Sequence, residues 1–276
     1  KATVTGTRFD GRDVARGLLR RSTGKAVATE TIEIDVTIGS VLGFGDEALQ
    51  GVNLAARMKN GSINALSVTA QTAGGGSASA TLAPTGSERR LQMEAGEIGR
   101  LLRFAGLYSK VLSGRATVAG VVDDAGGLRA EVDGSRWRIV DEPALARLSS
   151  AAKDGPTAGY STADIERLVF DLALADGRLT ILDGVIRTAS AGLSIQGDVD
   201  FRRDVVSLSG SYMPVGGIDS LIGQIPILGQ TVFAGGRAGL LGVTYRLTGT
   251  LDAPNLTVNP LSLMAPGIFR KLFEAR

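Results

Sequence analysis

The feature that most constrains this chain is strict alternation of apolar and polar residues, repeated along its length. Ile32, Ile34, Val36 and Ile38 are interleaved with Thr31, Glu33, Asp35 and Thr37. Val52, Leu54, Ala56 and Met58 follow the same rule, as do Leu193, Ile195, Val199 and Phe201 among Ser194, Gln196, Asp198 and Asp200. Val206, Leu208 and Tyr212 alternate with Ser207, Ser209 and Ser211. Leu241, Val243, Tyr245, Leu247 and Leu251 alternate with Thr244, Arg246, Thr248 and Thr250. Successive side chains of a strand point to opposite faces, so each run predicts a strand with one oily and one wet face. One-sided strands predict antiparallel pairing, because parallel strands are usually apolar on both faces. Turn signals separate the runs: Asn60-Gly61, residues 123–127, Asp133-Gly134, Asp176-Gly177 and Asp183-Gly184. Asn-Gly and Asp-Gly supply the positive φ of tight hairpins. Gly74, Gly75 and Gly76 predict a flexible turn or an edge strand of weak register.

Short helices interrupt this meander. Ile98, Leu101, Leu102 and Ala105 recur at helical spacing, with Arg100 and Arg103 on the opposite side. Asp141 and Glu142 precede Pro143, which suits a first helical turn, and a short apolar stripe follows to Leu148. Ile218, Leu221, Ile222 and Ile225 repeat the helical spacing until Pro226 ends it. Pro266 opens a segment with Ile268, Phe269, Leu272 and Phe273 on one side and Arg270 and Lys271 on the other.

The composition narrows the function. The chain has no Cys and no His, which removes disulfides, thiol chemistry, the usual general base and the commonest transition-metal ligand. No catalysis, cofactor or metal is expected. Thirty basic against 28 acidic residues leave a net charge of +2, which gives no electrostatic case for nucleic acid. The basic run Arg12, Arg16, Arg20, Arg21 and Lys25 reads as a solvated face, with phosphate headgroups as the alternative partner. Thr23-Gly24-Lys25-Ala26 lacks the spacing and the hydroxyl residue of a phosphate loop. Asp123-Asp124 and Asp141-Glu142 stand where turns and helix caps want acids. Trp137, between Arg136 and Arg138, reads as an inward aromatic of a strand. No stretch reaches the roughly 20 consecutive apolar residues of a membrane-spanning helix. The opening Lys1-Ala2-Thr3-Val4-Thr5 reads as a strand, so the sequence is expected to begin inside a larger fold.

Two-faced strands need a cover for the oily face. A sandwich supplies a second sheet, a barrel closes on itself, and a curved open sheet leaves the face for a ligand or for short helices. Aromatics make up only 5% of residues, so the walls would be smooth and aliphatic.

Several segments, in order, resemble the C-terminal region of the AsmA-like family of bacterial envelope proteins. Residues 94–108 (EAGEIGRLLRFAGLY) and the strand-like 113–120 match one stretch of it. Residues 141–148 match the family's D-A-P-x-L-A-x-L helix, with Glu142 in place of Ala. Residues 216–229 match G-x-N-S-L-L-G-x-I-P-x-L-G, with Asp219 in place of Asn. Residues 242–249, 252–262 (DAPNLTVNPLS) and 265–273 complete the series. The resemblance covers about residues 94–274, and residues 1–93 share only the amphipathic-strand style, so the chain is read as 1–93 and 94–276.

The resemblance implies a mainly β, curved antiparallel β-groove, an open taco-like sheet with short amphipathic helices. It implies a periplasmic protein attached to the inner membrane through an N-terminal anchor missing from this sequence. Its partners would be phospholipid, the membrane surface and envelope proteins, and its work the transfer of phospholipid toward the outer membrane. A scaffold for outer-membrane biogenesis is the alternative. The candidate lipid-binding residues are Ile195, Val199, Phe201, Leu208, Tyr212, Ile218, Leu221, Ile222, Ile225, Val243, Tyr245 and Leu247. The candidate membrane-contact residues are Ile268, Phe269, Arg270, Lys271, Leu272 and Phe273. Burying each large apolar side chain there would contribute about 1.5–3 kcal/mol, and each cation near anionic headgroups about 1 kcal/mol.

Overall fold

Alternation becomes sheet almost everywhere it occurs. In the computed structural model, which describes residues 1–19, 31–59, 61–151, 159–214 and 243–259, fourteen strands form one curved, open sheet. The elements run β1 (Ala2–Asp10), α1 (Arg12–Leu19), β2 (Thr31–Leu42), β3 (Ala48–Lys59), β4 (Ser62–Thr72), β5 (Ser77–Thr85) and β6 (Glu88–Ala95). Then come α2 (Ile98–Phe104), β7 (Val111–Val122), β8 (Leu128–Ile139), α3 (Pro143–Ala151), β9 (Ala163–Ala175) and β10 (Arg178–Thr188). The chain continues through β11 (Ala191–Asp200), β12 (Val205–Pro214), β13 (Val243–Thr250) and β14 (Pro254–Asn259). Spatial order equals chain order, so each strand lies beside its predecessor. The expected curved, mainly β architecture is therefore what forms.

The pairing departs from the expectation once. β1 and β2 are parallel, with Val4 opposite Val36. Parallel neighbours need a crossover, and α1 lies in that connection. The other neighbouring pairs are antiparallel. The division at 93/94 falls inside β6, so the sheet runs through it without a break.

Register fixes the two faces. One row of cross-strand partners runs Val4, Val36, Leu54, Val68, Ala80, Met93, Val118, Val132, Phe170, Gly184, Ile195, Gly210, Tyr245 and Val258, one residue from each strand. No member of it is charged. The neighbouring row, on the opposite face, includes Asp35, Ser67, Thr81, Gln92, Glu131, Asp171 and Asp183. A one-residue slip would exchange the two faces, so this pattern pins the register.

The sheet rolls toward its apolar face. α3 leaves the end of β8 yet packs on β13 and β14. Six strand spacings would separate β8 from β14 in a flat sheet, roughly 28 Å. α3 has nine residues, a length of about 14 Å. Only inward curvature brings the far strands to it.

Two Asp-Gly pairs behave differently from the turn reading. Asp176-Gly177 forms the two-residue hairpin turn between β9 and β10, with φ of 51° and 71°. Asp133-Gly134 and Asp183-Gly184 instead lie within β8 and β10. There the glycine serves close approach: a Cβ on Gly184 would stand 2.5 Å from both Phe170 and Ile195. Gly74, Gly75 and Gly76 belong to the turn joining β4 and β5 rather than to an edge strand. Arg136, at φ 58°, lies within β8 where its pairing with β7 shifts register, and Trp137 donates from Nε1 to the Arg115 carbonyl at 2.8 Å.

Candidate functional site

The site is the apolar face itself. Val36, Leu54, Val68, Val118, Val132, Phe170 and Ile195 are half-buried, and Met93 is 41% exposed. A second sheet would bury such side chains almost completely. Their partial exposure means that, among the described residues, neighbouring side chains shield them and no second layer does. Burying the face under acyl chains would release about 25 cal/mol for each Å² removed from water.

The predicted lipid-binding residues fall into four groups. Ile195, Val199 and Leu247 are half-buried on the wall, and Leu208 beside them is buried. Tyr212, Val243 and Tyr245 share the same face but are 3%, 5% and 8% exposed. They form a cluster with Ala191 and with Leu148 of α3. Phe201 departs from the strand reading: β11 ends at Asp200, and Phe201 lies in the following turn, its N–H donating to the Gly177 carbonyl at 2.9 Å. The turn takes over because the Asp200 carboxylate accepts the N–H groups of Arg202 and Arg203, both at 3.0 Å. Leu251 likewise lies just past β13. Ile218, Leu221, Ile222, Ile225 and Leu241 lie outside the described residues, as do Ile268, Phe269, Arg270, Lys271, Leu272 and Phe273.

Sequence reading missed much of the wall. Leu91 and Met93 of β6, Val118 of β7, Val132 of β8 and Leu168, Phe170, Leu172 and Leu174 of β9 all line it. The β9 signal was present but blurred, because Val169 and Ala173 put apolar residues on the outer face as well.

Polar groups on this side are few and satisfied. Tyr245 lies across Gly210 and donates from its hydroxyl to the Ser194 carbonyl at 2.8 Å. A Cβ at position 210 would stand 1.9 Å from that carbonyl and 2.7 Å from the hydroxyl, so glycine is what leaves room for this hydrogen bond. Burial pushes the Tyr245 phenol well above its usual range, so it is a fixed donor at neutral pH. Arg89, 9% exposed, donates to the carbonyls of Ile63 and Asp123 and ties β4 to the β7–β8 turn.

The two helices flanking β7 and β8 are held differently. In α2, Arg100 and Arg103 both reach Glu47 in the β2–β3 turn, at 2.9 and 2.8 Å. The Glu47 side chain is 8% exposed. Phe44 N–H donates to the Phe104 carbonyl at 2.9 Å, and Thr72 donates its hydroxyl to Glu97. Gly106, at φ 68°, ends α2 in the left-handed conformation, with Leu107 N–H returning to the Leu102 carbonyl. Glu142 precedes α3 and accepts from the Tyr108 hydroxyl, from Lys110 at 3.4 Å and from the Ala144 N–H at 3.0 Å. Burial, and then the Glu142 carboxylate, push the Tyr108 phenol up. A cavity of about 580 Å³ lies here, lined in part by Phe44, Leu107, Glu142, Arg147, Leu251 and Leu256.

Among the described residues no cluster of acidic side chains is arranged to hold a metal ion. None of their helices is long and apolar enough to cross a membrane, a finding that does not bear on strand-built spans. Comparison with family models, with curated proteins and with solved structures finds no match for this chain.

Proposed function

We propose that this protein is a lipid-carrying conduit of the bacterial envelope, in which phospholipid acyl chains lie against the apolar face while headgroups remain in water. One observation supports the reading above all others: an uncharged row crosses all fourteen strands, and every member except Gly184 and Tyr245 stays at least partly exposed. A protein that needs only stability gains nothing from a wall it leaves uncovered, whereas an acyl chain gains by covering it. The mechanism is passive. Smooth aliphatic walls offer a chain the same contact at each step, so sliding costs little desolvation. The ordered resemblance to AsmA-like proteins supports a periplasmic setting, with the 268–273 segment touching a membrane surface. It also supports phospholipid moving between the inner and outer membranes.

The test is a photo-crosslinking amino acid placed at Ile195 or Val199, on the wall, and at Ser194 or Gln196, on the outer face. Adducts with co-purified phospholipid are expected at the first pair. Adducts confined to the second pair would sink the reading.

A second reading is a scaffold for outer-membrane assembly, its trough filled by its own helices. The seating of Leu148 on Tyr212, Val243 and Tyr245 favours it locally. Mass spectrometry of lipid extracted from gently purified protein separates the two: stoichiometric phospholipid supports carriage, and a lipid-free protein supports the scaffold.

A further inference from the structure

The wall is continuous by register but not by access. From β1 to β9 every member of the apolar row is partly exposed, whereas on β13 Tyr245 is buried and, with Tyr212 and Val243 further along the same face, lies against Leu148 of α3. Tyr212, Val243 and Tyr245 carry the same chemistry as the open stretch and lie on the same face. Leu148, 5% exposed, stands on them where an acyl chain following the row would run.

We propose that α3 is a displaceable stopper over a cryptic acyl-chain subsite formed by Tyr212, Val243, Tyr245 and Leu193. The proposal rests on the conduit reading. Three features argue that the stopper is made to move. Its grip is small: Leu148 and Ser149 are the buried residues of α3, and Pro143, Arg147 and Ser150 face solvent. Its fastening is local, because Glu142 binds Tyr108, Lys110 and Ala144, all at the root of the helix. At the far end Ser149 accepts only from the N–H of Gly159 in the same connection. On the seat, α3 places Leu148 in a hydrophobic cluster with Tyr212, Val243 and Tyr245. The chain also swings from β8 into α3 at Asp141, whose φ of 53° marks a sharp turn beside the root. An acyl chain offers the covered wall the same kind of contact that Leu148 does, so the two compete for one surface.

The chain has no native cysteine, which makes a clean tether available. In the double variant Leu148→Cys with Val243→Cys, a short bis-maleimide holds α3 on its seat, and N-ethylmaleimide on the same variant leaves it free. Uptake of a pyrene-labelled phospholipid from phosphatidylglycerol vesicles is the readout. The tethered protein is expected to load at least ten-fold more slowly than the capped one. In the single variant Leu148→Ala, which loosens the seat, loading is expected to quicken several-fold, with folding checked by circular dichroism. Equal rates for tethered and capped protein overturn the stopper while leaving the conduit standing. If untreated wild-type protein takes up no probe, the conduit reading falls and the stopper with it.

Discussion

α2 and α3 are both short, both emerge from the sheet between antiparallel strands, and both were legible as amphipathic segments. They differ in what holds them. α2 is bolted by charge: one nearly buried carboxylate, Glu47, faces two guanidinium groups, and a backbone hydrogen bond joins it to the β2–β3 turn. α3 is seated by oil, with Leu148 on a tyrosine-rich patch and polar anchors at its root and in its own connection. Polar anchoring fixes geometry, because a buried charge without its partner is costly. An apolar seat tolerates exchange for any other apolar surface. The same fold therefore carries one helix built to stay and one able to leave.

The largest effect is expected from breaking the bolt. Glu47→Ala leaves Arg100 and Arg103 facing each other and should destabilise the protein by about 2–3 kcal/mol. That is less than a fully buried pair, because Arg100 remains a third exposed. Chemical denaturation measures it, and a loss below about 0.5 kcal/mol would erase the contrast between the helices. A smaller global effect is expected from Leu148→Ala. The lost packing of a buried leucine is worth roughly 2 kcal/mol, at the low end for such sites because a short helix can readjust. Hydrogen exchange should show the loss confined to α3 and its seat, with α2 protection unchanged; equal loosening of both helices would show that they form one unit.

The smallest effect concerns α1. The Asp10 carboxylate accepts from the Arg12 side chain and from its backbone N–H, which hold its pKa down to about 2. A carboxyl depressed by folding stabilises above its unfolded value, near 4, and loses that contribution as pH falls toward 2. Proton titration followed by NMR should place the Asp10 midpoint near 2, and Arg12→Ala should return it to the ordinary carboxylate range. The pair is solvent-exposed, so overall stability should hardly register the change.

The strands were the most legible part of this molecule, because a side-chain period of two survives in sequence wherever one face meets water. β2, β3, β11, β12 and β13 could be read directly. β9 could not, since Val169 and Ala173 hide its period, and Gly134 and Gly184 mimic turns although they serve packing. The parallel pairing of β1 was invisible, because Thr3, Val4 and Thr5 alternate in the same way whichever direction the neighbour runs. Of the candidate site, the residue types and their common face were legible, and their division into open and covered was not. That division depends on curvature, which brings Leu148 to residues almost a hundred positions further along the chain. Phe201 was misread for a local reason: the Asp200 side chain captures two backbone donors and bends the chain one residue early.

A sheet whose strands follow one another in space as in sequence is close to a one-dimensional object. Most of its pairings close short loops, so assembly can begin at any hairpin and zip outward, without the slow searches that long-range strand pairing demands. The same arrangement makes length adjustable. Inserting or deleting a whole hairpin preserves the direction of every later strand and keeps oily against oily, so such a protein can grow or shrink by duplication of two-strand units without redesigning what remains.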